Sequence, residues 1–436
     1  MKRKNPSESG QAIVLLAISI VVLLGFTALA VDGGMIFSDR RHAQNAADAA
    51  ALAGALQKSN LQSDTVVIQA AERSAESNGF TTDQMSVAIT PFSDFSGDYT
   101  LITVEITKDT PTSFAHLIYN GPFRNHVTAI ARARRSQPVF PGQAVVAMGN
   151  CVGSSLTLMD SNGGGNSGGV RTFQGGIFLN APESGTCCAM TPPQVGYGIS
   201  VDPTFGITSV GSCSYAGVGN IFPSPPIETG VNGGARVDDP LASLPTPVCT
   251  QPGRIQNGLY QPGNYGGSNM ALGAGGLAPG IYCIDEPRGT SFSGQQVISG
   301  EGVTLYFKRG GLSFSGNAYM DISAPTDRNP PTNGNCLGNV GPATDSCTYK
   351  GIAIFSARDN TSEINVKGNG NNALLGMVYA ISGTLNASGG GNSADEAAII
   401  GQVIVKNVTN NGGGDVSVTY QPELTYWPRP RISLQR

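Results

Sequence analysis

GMVYAISGTLNASGGGNSADEAAIIGQVIVKNVTNNGGG, residues 376–414, contains one unit twice. Gly376-Met377-Val378-Tyr379-Ala380 returns 25 residues later as Gly401-Gln402-Val403-Ile404-Val405, and the run from Leu385 to Gly391 returns 23 later as Val408 to Gly414. The pattern extends outward. Gly302-Val303-Thr304-Leu305-Tyr306-Phe307 starts 49 residues before Gly351-Ile352-Ala353-Ile354-Phe355, which starts 25 before Gly376. Ser291-Phe292-Ser293-Gly294 recurs 22 residues on as Ser313-Phe314-Ser315-Gly316. Two families of short β runs at one shared period predict an all-β, Gly-rich, right-handed β-solenoid of parallel β-helix type. Each coil would stack on the next, bury Val, Ile, Leu and Phe, and turn corners at Gly and Asn. A β-sandwich would not repeat a fixed Gly-plus-apolar unit. The double spacing accommodates an inserted loop over 324–350.

The unit does not fill the chain of 436 residues. Residues 154–166 and 175–181 read as further coils, while 192–272 lose the pattern, and PSPPIETG and DDPLASLPTP within it read as extended linker or surface loops. Pro262-Gly263-Asn264-Tyr265 and Pro279-Gly280-Ile281-Tyr282 share a PGxY unit that marks a turn into a strand. Eight glycines fall in residues 1–137 and 51 in 138–436, so two kinds of structure join near Pro138. Only 13% of residues are charged, with a formal net charge of -4, which leaves no basic field to gather phosphates and excludes nucleic acid as a partner.

At the other end, Met1, Lys2, Arg3 and Lys4 precede a polar stretch, and residues 12–31 then run without a charge. As a helix this run is about 30 Å long, the hydrocarbon thickness of a bilayer. Ala12, Leu15, Leu16, Val21, Leu24, Phe26 and Val31 are the anchor residues, with the lipid bilayer as their partner. The basic N-terminus predicts a cytoplasmic end and an exported remainder, a bias weakened by Arg40 and Arg41 beyond the span. Ala28-Leu29-Ala30 also fits a signal-peptidase site, so a cleaved leader is the competing reading. Past Asp32 the Ala-rich sequence to Ser59 predicts a small-faced amphipathic helix.

The run 10–55 resembles the N-terminal segment of the Flp pilus-assembly TadE/TadG-like family of bacterial envelope proteins. The resemblance rests on Gly10, on Ala30-Val31-Asp32, on Arg40-Arg41, and on the string Gln44-Asn45-Ala46-Ala47-Asp48-Ala49-Ala50-Ala51-Leu52-Ala53. It implies a membrane-anchored protein tied to tight-adherence pili or a related surface system, with other pilus-assembly or envelope proteins as partners. Pilin-like members carry Glu five residues past their cleavage glycine. Counted from Gly10 that position is Leu15, so the uncut TadG-like form is the better match.

Between anchor and repeats, residues 65–78 predict a helix stopped at Gly79. Alternation predicts strands over 85–90, 99–107 and 126–134, with a short helix over 111–119. The chain thus divides into tip, transmembrane helix and stem (1–58), a small α+β pilin-like domain (59–137), and the solenoid (138–436) with loops near 192–272 and 324–350.

All eight cysteines (Cys151, Cys187, Cys188, Cys213, Cys249, Cys283, Cys336 and Cys347) follow Pro138 and read as disulfides of an exported region, in any of 105 pairings. Cys336 with Cys347 is the candidate pair, because it would pin the inserted loop. The three histidines, His42, His116 and His126, all precede Pro138 and lack metal-site spacing. No catalytic residue, metal or cofactor is expected. Asp285, Glu286, Asp321, Asp359, Glu363, Asp395, Glu396 and Asp415 are the carboxylates that a tethered carbohydrate-active enzyme, the competing function, would use. Asp160-Ser161-Asn162 and Asp321-Ile322-Ser323 fall short of the D-x-S-x-S metal site, and the sequons at Asn360, Asn386 and Asn407 read as corner hydrogen-bonders. The expected role is display and contact, with surface glycans or neighbouring envelope proteins as ligands.

Overall fold

The structure is a computed structural model describing residues 9–94, 97–114, 121–134, 137–149, 159–161, 170–180, 190–191, 199–211, 227–326, 343–367, 373–388, 397–410, 416–428 and 431–435. The chain divides into two units: Met1–Asp94, Asp98–Ser136 and Pro430–Arg436 form one, and Gln137–Arg429 with Phe95–Gly97 form the other.

The first unit begins with helix α1 (Ser9–Ser59), followed by α2 (Asp64–Ser77) and strands β1 (Met85–Asp94), β2 (Gly97–Thr110) and β3 (Phe123–Arg134). The apolar run and the Ala-rich run contain no proline, so one helix passes through both. β3 pairs antiparallel with β2 and, on its other side, with a C-terminal strand, Arg431–Gln435. The sequence reading assigned that last strand to the repeat region. It lies instead at the edge of the first unit's sheet, because Leu434 packs onto this unit's own core. Stem and small domain also share one core. Ala43, Ala46, Ala47, Ala50, Ala51 and Ala55 of α1 pack with Val67 and Ala71 of α2 against Ile102, Val104, Ile106 and Ala131, so a boundary at residue 58 cuts through a single hydrophobic cluster. Alanine and glycine on this helix face allow close approach: a Cβ on Gly54 would stand 3.1 Å from Ile102 Cγ2. Pro111–Phe114 is not helical in the described part, and 115–120 lie outside the described residues.

The second unit is a large β-rich region in which parallel pairing dominates. One ladder runs in the order 227–229, 207–209, 176–179, 143–147, 403–410, 377–388, 352–356, 303–309, 280–285, 263–266. The repeats noted in the sequence are register partners in it: Leu305 opposes Ile354, Phe355 opposes Tyr379, and Tyr379 opposes Ile404. The Ser-Phe repeats form another row, in which Ser291 opposes Ser313 and Phe292 opposes Phe314 with ring centroids 5.4 Å apart. That row continues through 363–367 to the second halves of 377–388 and 403–410, then to 159–161 and 190–191. A further ladder, absent from the sequence reading, links 275–277, 297–300, 319–323, 373–375, 397–401, 416–420, 170–173 and 199–200. It carries no motif, only one or two inward apolar residues per strand such as Ile298, Met320, Leu374, Ile399 and Val418. The three rows contribute to one core: Leu305, Val378 and Val403 from the first, Phe292, Phe314, Leu385 and Val408 from the Ser-Phe row, and those five from the last.

The repeat glycines are positional. Gly302, Gly351, Gly376 and Gly401 all have positive φ. At Gly401 (φ 148°) a Cβ would lie 2.5 Å from the Gly376 carbonyl oxygen, so no other residue fits there without displacing the neighbouring strand.

Two sequence expectations are corrected here. The pattern is not lost over 192–272, since 199–200, 207–209 and 227–229 prolong the ladders; these strands are too short to show a period. DDPLASLPTP is not a surface loop. Leu241 and Leu244 are buried with Phe355, Tyr349 and Tyr379 in a second core on the outward side of the first ladder. The Arg358 guanidinium holds this strap by donating to Asp239 Oδ2 at 2.8 Å and to the carbonyls of Leu241 and Leu244. The strap ends in a disulfide between Cys249 and Cys283, which the sequence reading did not single out. Cys347 is also disulfide-bonded, while Cys336 lies outside the described residues.

Candidate functional site

The uncovered apolar surface and the TadE/G-like motif residues lie along α1. Residues 12–31 are uncovered: Leu15, Leu16, Val21, Leu24 and Phe26 are each more than 60% exposed, and Ala12 and Val31 are exposed as well. Each large apolar side chain left in water forgoes about 1.5–3 kcal/mol, so a run of this length demands an apolar surrounding. The run's two polar side chains fit such a surrounding, because Ser19 donates to the Leu15 carbonyl and Thr27 to the Leu23 carbonyl, both at 2.7 Å. The helix is long and apolar enough to cross a membrane. Gly10 lies in its first turn.

Where the apolar run ends, α1 turns a polar and small-residue face to the sheet. Asp32, nearly fully buried, accepts the backbone N–H groups of Ser113 at 2.8 Å and Phe114 at 3.0 Å. Two turns further on, Asp39 accepts from Thr110 Oγ at 2.8 Å, and Asn125 Nδ2 donates to the same Thr110 oxygen at 3.0 Å. Gln44 donates to Asp48 at 2.9 Å and reaches the Thr128 carbonyl. His42 bonds the Asn78 carbonyl at 2.8 Å and stacks on Phe80, which gives it a structural place. Of the motif residues, Asp32 and Gln44 therefore fasten the helix to its unit and Asp48 braces Gln44 from the same helix, whereas Arg40, Arg41 and Asn45 face solvent. Asp39, Thr110 and Asn125 escaped the sequence reading; the seven-residue spacing of Asp32 and Asp39, two helical turns, was the available signal.

The two arms that meet at this end carry exposed apolar side chains: Met35 and Phe37 on the helix, Phe114 on the β2–β3 connection and Phe123 at the start of β3. Beside them the exposed pair Asp109–Arg124 is bonded at 2.9 Å, and the guanidinium holds the Asp109 carboxyl below the usual carboxylate range.

Among the described carboxylates of the second unit, Asp285 and Glu363 are tied to other side chains. Asp285 is bonded to Arg309 and Lys308, which lower its pKa, Arg309 most; Glu363 accepts from Asn386 at 3.3 Å; Asp321 and Asp359 are exposed. Asp395, Glu396 and Asp415 lie outside the described residues. Asn360 is a corner hydrogen-bonder, its amide donating to the Phe307 and Gly310 carbonyls. Among the described residues no three metal-ligating side chains cluster.

The model of the Flp pilus-assembly TadE/G-like family matches residues 10–57, and this N-terminal segment is therefore TadE/G-like. No curated protein matches the chain. Among solved structures, the competence-associated pilin ComZ from Thermus thermophilus aligns over 90% of this chain and 97% of its own, at 11% identity and a TM-score of 0.21, a superposition too weak to bear on the fold.

Proposed function

We propose that the chain is a membrane-anchored, extracytoplasmic structural and adhesive protein of a pilus-assembly or related surface system. The observation that carries this reading is the uncovered apolar run of α1 passing without a break into a TadE/G-like stem that is itself bonded into a folded unit. In this reading α1 crosses the cytoplasmic membrane once with its N-terminus inside. The second unit is a right-handed β-solenoid, supported by three parallel rows that share one core and by the strands from 280 to 420, which enter the rows in one repeated order. Its role is contact with glycans or envelope proteins through repeated weak sites, not turnover. The engagement of Asp285 by two cations and of Glu363 by Asn386 favours binding over hydrolysis.

Two measurements test this. The protein should remain in the membrane pellet after alkaline carbonate extraction, and protease added to spheroplasts should reach residues 137–429. Recovery in the soluble fraction would overturn the anchor. Cleavage of surface polysaccharide by the wild type, lost in Asp285→Asn or Glu363→Gln, would replace display with a tethered enzyme.

A further inference from the structure

We infer that the end of the first unit formed by Met35, Phe37 and Phe114 lies in the headgroup layer of the bilayer, as a second, peripheral lipid contact beside the span. The inference rests on reading residues 12–31 as that span. Four observations converge on it. Asp32 is the first charged residue after the run, so it marks the edge of the hydrocarbon. Its carboxylate binds the backbone N–H groups of Ser113 and Phe114, fixing the β2–β3 connection at that height. Ser113 Oγ also meets Met35 Sδ at 3.8 Å, a second tie between the arms. Finally, Phe37 is 70% exposed, Phe114 45% and Met35 39%, grouped beside Asp32, whereas exposed Leu61 and Phe92 lie with Lys58 at the far end of α1.

The dimensions agree. Phe37 stands about 7.5 Å along the helix beyond Asp32, and the polar layer on each side of a bilayer core is about 5–8 Å thick. Side chains at this height meet carbonyl and headgroup groups rather than bulk water, where aromatic rings are favoured. The lipid also accounts for the polar surroundings, since Asp109 with Arg124 and the exposed Arg40 and Arg41 flank the apolar tip with groups that phosphates and water can solvate.

The test uses the full chain with its single tryptophan removed (Trp427→Phe), reconstituted in phosphatidylcholine–phosphatidylglycerol vesicles. The lipids carry bromines either just below the headgroup or near the bilayer centre. One tryptophan is introduced at a time: Phe114→Trp, Phe37→Trp, Leu24→Trp and Phe92→Trp. Phe92 lines the same cavity as Lys58, which lies about 40 Å along α1 from Asp32. The expected result is loss of most Phe114→Trp and Phe37→Trp emission with the shallow bromines, loss of Leu24→Trp emission with the deep ones, and none for Phe92→Trp. Unquenched tip positions with a quenched Leu24→Trp would overturn the inference and leave the span standing. A blue-shifted but unquenched tip would overturn it in favour of a protein cover. An unquenched Leu24→Trp would overturn the span itself.

Discussion

Asp32 and Gly401 show two ways in which a single residue fixes this fold. Asp32 brings a carboxylate to a helix face that continues in Asp39, Gln44 and alanines, and its two backbone partners belong to the β2–β3 connection. Asp32→Ala removes both bonds, and hydrogen bonds to a charged group contribute about 1.5–3 kcal/mol. The expected outcome is a first unit less stable by roughly 2–3 kcal/mol, with faster hydrogen exchange at Ser113 and Phe114 and unchanged protection in the sheet centre. Gly401→Ala should act elsewhere. Its left-handed backbone costs an L-residue about 1–3 kcal/mol before any clash is counted, and only the second unit should melt earlier. Acid acts on residues as well. Asp285, held down chiefly by Arg309, and Asp202, held down chiefly by the Thr204 N–H, have folded pKa values below their unfolded ones. Their stabilisation is complete above the unfolded carboxylate value of about 4 and is lost as pH falls through the folded values. Thermal stability of the second unit should thus be flat from neutral pH to about 4 and drop below it, less steeply in Asp285→Asn.

At the scale of elements, the strap over the outward side of the first ladder is the part that only three-dimensional structure discloses. Arg358 binds a carboxylate and two carbonyls of the strap with one planar group, a task a lysine ammonium cannot reproduce. Both Arg358→Ala and Arg358→Lys should therefore free the strap. Removing the Cys249–Cys283 bridge, which closes a separation of 34 residues, should cost about 3–4 kcal/mol by loop-closure entropy. Limited proteolysis cutting between 235 and 250 in these variants and not in the wild type would confirm the assignment. Two of the three strand rows were legible because each reuses a recognisable unit, Gly plus an apolar run or Ser-Phe-Ser-Gly. The third was not, since its strands share nothing but an inward Ile, Leu, Met or Val. The strap was illegible for a related reason: Pro and Ser composition reports turns, whereas burial of Leu241 and Leu244 depends on aromatic residues more than a hundred positions away. On the anchor side, the apolar run and the small-residue face were evident from the chain alone, while Asp39, Thr110 and Asn125 form their network across residues distant in sequence.

For the whole molecule, order along the chain and order in space diverge. The strand at 143–147 pairs with 403–410, and 170–173 pairs with 416–420, so the first described strands of the second unit complete their ladders against its last. Gln402, fully buried at this seam, donates to the carbonyls of Phe140 and Gln143. A chain ending at Gly401 should consequently lose hydrogen-exchange protection at 143–147 and 170–173, far upstream of the cut, to a degree approaching that at 377–388. Retained protection upstream would show that the two halves fold independently. The periodicity of the repeats gives no hint of this closure, because a stack built strictly in sequence order would show the same spacing. Along the sequence the second unit is inserted within the first: Arg134, where the chain leaves the first unit's sheet, and Arg431, where it returns, are opposed partners on adjacent strands. A protease that cuts once at either connection leaves the other intact, and the C-terminal strand still lies in its sheet. Release of residues 137–429 from the first unit therefore takes two cuts, or one cut together with the peeling away of a strand.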